Sequence, residues 1–335
     1  MNTRFLFSGA LLALAVAAAA AMAAEPCAHR GKLDALYCDE NRDLVADPPK
    51  DPAKLVSPDP LIFTYAPVED PAVYEGAWSD FLKHLEKVTG KKTKYFGLQN
   101  YAAQIEAMRS GRLHISAFST GSVVYAVNLA GGVPFAIMRD AKGPSGYHLI
   151  VITQARNDKI KTIADLKGKR VAHVSQTSSS GHQAPIYFFS RMGVTPGKDY
   201  QIVFSGKHDA SALGVVNGDY DAAAVADTVL ERMVARGVIK AGDFKVIYTS
   251  PVFPTAGFLY PHNLEPKLVE KIKEAFASFK LDGTSLGKEF KGRTGFLPLN
   301  YQKDWESIVG ILEANGVTFT KDSPEYKRLE KRGSE

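Results

Sequence analysis

Leu113-His114-Ile115-Ser116-Ala117-Phe118-Ser119-Thr120-Gly121-Ser122 is the stretch that decides the fold. A short β-prone run ends in a hydroxyl-rich turn, and a helix-like segment follows from about Val123 to Leu129. The same order returns later. Arg170-Val171-Ala172-His173-Val174 leads into Thr177-Ser178-Ser179-Ser180-Gly181-His182, then into a helical run with Ile186, Tyr187, Phe189 and Met192. Hydroxyl donors and free backbone N–H groups at a helix start make a neutral cradle for an anion. One cradle in each half of an α/β chain implies a small oxyanion held between two lobes.

Working outward, Leu61-Ile62-Phe63-Thr64-Tyr65 reads as a strand. Asp70-Pro71 opens a helix that carries Val73, Trp78, Phe81, Leu82, Leu85 and Val88 and stops at Gly90. Lys94 to Leu98 is a second strand, and Asn100 caps a helix ending at Gly111. This alternation predicts a parallel sheet with helices on its faces. Tyr147 to Ile152 reads as a strand leaving the first lobe, and Ile163 to Ala172 starts a second α/β unit. Tyr200 to Phe204 and Ala222 to Ala226 are further strands, with a short helix from Ala210 to Val216 between them. Val246 to Tyr248 and Gly257 to Tyr260 return the chain to the first lobe, and helices over Pro266–Phe279 and Asp304–Ala314 complete it. Two crossings, near 150–155 and 249–256, would form a hinge. The expected division is 59–152 plus 253–335 for one lobe and 153–252 for the other.

The chain has 335 residues, 45% hydrophobic and 23% charged, enough for two packed cores. The formal charge of +5 includes Arg4, so the chain beyond residue 24 carries +4 by the same count. No Lys/Arg block is dense enough to argue for nucleic acid. Residues 1–24 read as a secretory signal, with Arg4 as the basic start, Phe5 to Ala21 as the apolar stretch, and a small-residue cleavage site near Ala23 or Ala24. That predicts an exported, periplasmic protein. No later run is long and apolar enough to span a bilayer.

Residues 25–58 read as an irregular, Pro- and Asp-rich extension. The only cysteines, Cys27 and Cys38, lie within it. An even pair in an exported chain favours a disulfide over free or metal-binding thiols. Side-chain oxygens at Asp39, Asn41, Asp43 and Asp47 resemble a calcium loop, though Leu44 stands where the sharp-turn glycine belongs and no Glu closes the loop. The other reading is an acidic turn tied down by the disulfide; no other cofactor is implied.

Ligands of parallel α/β sheets sit at the carboxyl ends of strands, and the polar turns fall there. Candidates are Ser119, Thr120, Gly121 and Ser122 on one turn and Thr177, Ser178, Ser179, Ser180 and Gly181 on the other. His208 at another strand end is a donor whose charge state would tune affinity. His182 lies beside the second turn or too deep in its helix to reach. Asp227 either caps its helix or accepts from a protonated ligand group. Tyr65 and Glu69, on the loop after the first strand, face the same crevice, and Tyr147 near a crossing would close over it. Arg and Lys are nearly absent from these turns, which favours a small, partly protonated oxyanion held by hydrogen bonds. Ser179 or Ser180 with His182 or His208 and Asp227 superficially suggests a hydrolase, but no Gly-x-Ser-x-Gly elbow, Ser-x-x-Lys turn or phosphate-binding loop is present. The chain is therefore expected to bind rather than to catalyse.

At Gln104–Gly111, Phe118–Ser122, Ala164–Lys169, Ser178–Gly181, Ser205–Asp209 and Gly218–Ala224, the chain resembles the phosphonate/phosphite-type periplasmic binding proteins of ABC transporters. The resemblance spans about Leu61 to Phe279. It implies a type II fold, two lobes closing on ligand like a trap, and docking on an inner-membrane permease, as a monomer. It also implies that Ser119, Thr120, Ser178, Ser179 and Ser180, with His208, hold the oxyanion. Members that take amino-alkyl phosphonates use acidic residues for the amine. Asp227 occupies one such place, but Pro251 to Thr255 offers no second acid. That departure points to phosphite, methylphosphonate or phosphate. Arsenite, which a related subgroup senses through a cleft cysteine, is disfavoured because both cysteines precede the lobes. A sensor presenting the ligand to a membrane histidine kinase would have the same lobes.

Overall fold

The structure, a computed structural model, describes residues 27–319. The expected export signal therefore lies outside the described residues. Two mixed sheets form the architecture. The first contains β1 (Leu61–Thr64), β2 (Thr93–Tyr95), β3 (Ile115–Phe118), β4 (Gly132–Asp140) and β5 (Gly143–Pro144). The second contains β6 (Gly146–Gln154), β7 (Arg170–His173), β8 (Gln201–Phe204), β9 (Ala222–Ala226) and β10 (Phe244–Pro254). The chain then returns to the first sheet with β11 (Gly257–Pro261) and β12 (Gly295–Pro298). The helices are α1 (Ala72–Glu75), α2 (Ser79–Thr89), α3 (Tyr101–Arg109), α4 (Thr120–Ala130), α5 (Ala184–Arg191), α6 (His208–Asn217), α7 (Asp227–Ala235), α8 (Pro266–Ser278), α9 (Ser285–Glu289), α10 (Tyr301–Asp304) and α11 (Glu306–Ala314).

The sheet orders are β12-β4-β11-β3-β1-β2 and β10-β6-β9-β7-β8. Only β2-β1-β3 and β8-β7-β9 are parallel; β11, β4 and β12 run antiparallel in the first sheet, as do β6 and β10 in the second. The expectation of a parallel sheet thus holds for the strands that carry the turns and fails for the returning strands. The expected single helix from residue 70 is two, α1 and α2. Ser79 N–H reaches only to Gly76 O, a tightened turn at a glycine, a poor helix former.

The crossings also differ from expectation. Leu149 to Ile152 pair with Ala223 to Ala226, so all of β6 belongs to the second sheet rather than ending the first lobe at residue 152. Val246 to Tyr248 likewise sit in β10, on the second sheet's edge. The crossings fall at Ser145 and at Thr255-Ala256, and they touch: Thr255 N–H donates to Ser145 O at 3.2 Å.

One face of the first sheet is closed by α2 and α8 over an aromatic cluster of Phe63, Trp78, Phe81, Phe258, Phe276 and Phe296. The core behind its other face, built on α4, is continuous with the second lobe's core. Late in the chain, α11 packs against both α4 and α5. The extension covers the back of the first lobe. Asp34 N–H donates to Asn128 O at 2.7 Å, Asp34 pairs with Arg109, and the Tyr37 ring meets His262 edge-on. Cys27 and Cys38 are joined as a disulfide. Asp39, Asn41, Asp43 and Asp47 turn their oxygens onto backbone amides of residues 40 to 45. Among the described residues no group of three or more His, Cys, Asp or Glu is arranged to hold a metal ion, and no helix is long and apolar enough to cross a membrane.

Candidate functional site

Each cradle turn forms because its strand ends where a helix must begin. Ser119, extended in backbone, is the N-cap of α4, and Ser178 is the N-cap of a π-helical turn, Ser179–Gln183, that runs into α5. The first amides of such turns have no intrahelical acceptor. Ser178 Oγ satisfies Gly181 N–H at 3.0 Å. α4 begins three residues earlier than its sequence period implied, so Thr120, Gly121 and Ser122 are its first turn.

The two turns enclose a cavity of about 70 Å³. Of the residues singled out from sequence, Ser119, Thr120, Ser178, Ser179, Ser180, His208, Tyr65 and Tyr147 line it. Ser179 Oγ is buried there and has no hydrogen-bond partner in the protein. Tyr65 is pushed up to about 12 by burial, which outweighs the opposing pull of Arg232, so its phenol stays protonated. Burial likewise raises Tyr147, against the neighbouring hydroxyls of Ser180, Thr120 and Ser179.

His208 differs from expectation in its charge. Burial drives its pKa from 6.5 down to about 3, so it is neutral at physiological pH and its charge does not tune affinity there. Ala226 N–H donates to its Nδ1 at 3.1 Å, which leaves the proton on Nε2. His208 is thus a fixed neutral donor on the cavity wall.

The remaining candidates are elsewhere. Ser122 Oγ accepts from Ser119 Oγ at 2.9 Å and donates to Thr177 Oγ1 at 3.2 Å, so Ser122 and Thr177 form a hydroxyl chain between the lobes. Gly121 faces the opposite turn: a Cβ there would overlap Thr177 O and lie 2.8 Å from Ser179 N. Gly181 packs on Val174. Asp227 opens α7, accepts from Thr228 N–H at 2.7 Å and borders a separate groove beside Ile150 and Leu230. Glu69 is buried behind the wall. Burial alone would raise its carboxyl, but Arg232, Tyr74 and Arg236 overcome that and hold it below the ordinary range. His182 meets His173, Nδ1 to Nδ1, at 2.9 Å, and His173 reaches Tyr200 OH at 2.8 Å. The serine–histidine–aspartate set is therefore not assembled.

Sequence reasoning missed several wall residues. Thr255, at the second crossing, has a buried hydroxyl without a partner. Arg232 on α7 and Arg293 after α9 bring two cations to a wall expected to have none, and Met138, Phe258 and Phe290 make it apolar opposite the hydroxyls. Trp305 Nε1–H donates to Thr120 O at 2.8 Å and supports the first turn from beneath. The lobes also touch through His208 N–H to Val68 O and Asp70 N–H to Asp209 Oδ2, each 3.0 Å, so the cleft is closed.

The family model for the periplasmic substrate-binding protein of phosphonate ABC transporters matches residues 63–305. The phosphate-import protein PhnD of Mycolicibacterium smegmatis is 30% identical over 230 residues, covering 66% of this chain and 72% of that protein. The phosphonates-binding periplasmic protein of Escherichia coli is 27% identical over 263 residues, covering 76% and 77%. Among solved structures, PhnD1 of Prochlorococcus marinus in complex with methylphosphonate is similar with a TM-score of 0.69 at 21% identity, covering 78% of this chain and 99% of that one.

Proposed function

Because the chain belongs to the periplasmic substrate-binding proteins of phosphonate ABC transporters, we propose that it captures a small phosphorus oxyanion between its lobes and presents it to a membrane permease. Phosphite, methylphosphonate and phosphate are the ligands in view. The observation that supports this most directly is the pair of buried hydroxyls, Ser179 and Thr255, which line the cavity and bond to nothing in the protein. An orphaned buried polar group costs about 1–3 kcal/mol, and an oxyanion would relieve both. His208 Nε2–H and the first amides after Ser178 add neutral donors around the same space.

The lobes we propose are 59–144 with 257–319, and 146–254, hinged at Ser145 and Thr255-Ala256. Residues 1–24 are read as the export signal, cleaved near Ala23 or Ala24. The mature chain acts as a periplasmic monomer, binding without turnover and without a cofactor.

Titration calorimetry with phosphite, methylphosphonate, phosphate and sulfate tests the reading. Ser179→Ala and His208→Ala are each expected to weaken the phosphorus ligand by roughly 10- to 100-fold, the equivalent of about 1–3 kcal/mol. Unchanged affinity in both variants would move the site elsewhere. Binding of sulfate alone would overturn the ligand class.

A further inference from the structure

The cavity wall contains two arginines, Arg232 and Arg293, and no Asp or Glu. A carboxylate lies just behind it. Glu69, on the loop after β1, is reached from α7 by Arg232, with Nε at 3.0 Å and Nη2 at 2.7 Å from Oε2. Arg232 Nη2 also meets Tyr74 OH at 3.2 Å, and Tyr74 OH donates to the same Oε2 at 2.5 Å. Arg236 holds Oε1 of Glu69 and reaches Glu289 at 2.6 Å. Glu69 and Arg232 come from opposite lobes, so Arg232 is drawn between Glu69 and the ligand space only when the cleft closes. The Arg232 guanidinium also lies 5.3 Å from the Phe290 ring centroid, packed on the apolar end of the wall.

We propose that Arg232, held in place by Glu69, is a specificity-determining residue that selects phosphorus oxyanions with uncharged substituents and rejects those carrying an ammonium group. The inference rests on the function proposed above and names the ligand class of that same site. An oxyanion head at the hydroxyl turns leaves its substituent facing Met138, Phe258, Phe290 and Arg232. A methyl group suits that surface. An ammonium group would meet the Arg232 and Arg293 guanidinium groups, whose carboxylate partners Glu69 and Asp140 do not line the cavity, at the low dielectric of a closed cleft, where like charges repel most strongly. Removing Arg232 takes one cation off the wall and frees Glu69 Oε2 from its arginine partner, while Arg236 keeps Oε1, so the balance at that end of the cavity shifts towards negative charge. Removing the Glu69 charge leaves the cation in place. The two changes break the same ion pair yet push selectivity in opposite directions.

The test is calorimetric titration of methylphosphonate and 2-aminoethylphosphonate into the full mature chain and into Arg232→Met and Glu69→Gln. The wild type is expected to favour methylphosphonate at least tenfold. Arg232→Met is expected to reduce that ratio at least tenfold, and Glu69→Gln to leave it at or above the wild-type value. The ratio is unaffected by a uniform loss of affinity from weakened closure. Equal affinities in the wild type, or both variants lowering the ratio, would overturn the selector while leaving an oxyanion-binding protein. If neither probe bound the wild type but phosphite or phosphate did, the selector would fall and the ligand class would stand; if none of the four bound, both would fall.

Discussion

Gly121→Ala is expected to lower oxyanion affinity by about 100-fold or more while the unliganded chain melts at or slightly above the wild-type temperature. Gly121 is in the first turn of α4 and faces the second lobe, where an added methyl would overlap Thr177 O and press on Ser179 N. Both atoms belong to backbone, which cannot swing aside as a flexible side chain would. The closed cleft would have to widen or shift, parting the Ser122–Thr177 hydroxyl contact. Overpacking of this kind costs roughly 1–3 kcal/mol or more, and the upper end corresponds to about 100-fold in affinity at 1.4 kcal/mol per decade. With the lobes apart, nothing opposes the methyl, and alanine favours the helix slightly. Calorimetry gives the affinity, and small-angle scattering with and without ligand shows whether compaction on binding is lost. Wild-type affinity in this variant would mean that the two turns do not approach so closely when ligand is bound.

Acid should destabilise the fold well before its carboxylates titrate as a group. Burial holds His208 at about 3 instead of 6.5 and holds His173 well below 6.5, with the nearby His182 adding to the effect on His173. Between those values the unfolded chain binds protons that the folded chain refuses. The contribution is complete above about pH 6.5 and is lost progressively as pH falls towards 3. One pKa unit is worth about 1.4 kcal/mol, so His208 accounts for a loss on the order of a few kcal/mol, and His173 adds to it in the same direction. Glu69, held below 4.5, acts in the same direction at lower pH, because its stabilisation is lost as pH falls through its folded value. Urea unfolding is expected to show stability that is level from pH 8 to about 6.5 and declines from there to pH 4, with a shallower decline in His208→Gln. A flat profile over that range would contradict the burial of these neutral histidines.

The strands that carry the site were legible because their signals are local. Leu61–Thr64, Arg170–His173 and Ala222–Ala226 are short apolar runs followed by capping residues. β4 was not recognised. Pro134 interrupts its pattern and falls where the β4–β11 register shifts, so its identity as a strand depends on partners more than a hundred residues away. Ser119, Thr120, Ser178, Ser179 and Ser180 were legible as cradle residues because capping chemistry is written within three or four positions. Glu69 lies on the expected loop but pairs with Arg232 and Arg236 instead of lining the crevice, because those arginines come from a helix on the other side of the cleft.

By itself, the sequence determined the α/β alternation, the two hydroxyl turns at strand ends and the likeness to phosphonate-type binding proteins. Each depends on periodicity or on contacts between near neighbours along the chain. Only the tertiary structure decided what surrounds that cradle. It brought Arg232 to Glu69 across 163 positions, set Thr255 at the crossing, turned Asp227 away, and pressed Gly121 against the facing turn. Charge pairing and close approach depend on how the two lobes dock, and docking is the sum of many weak contacts that no short stretch of chain encodes.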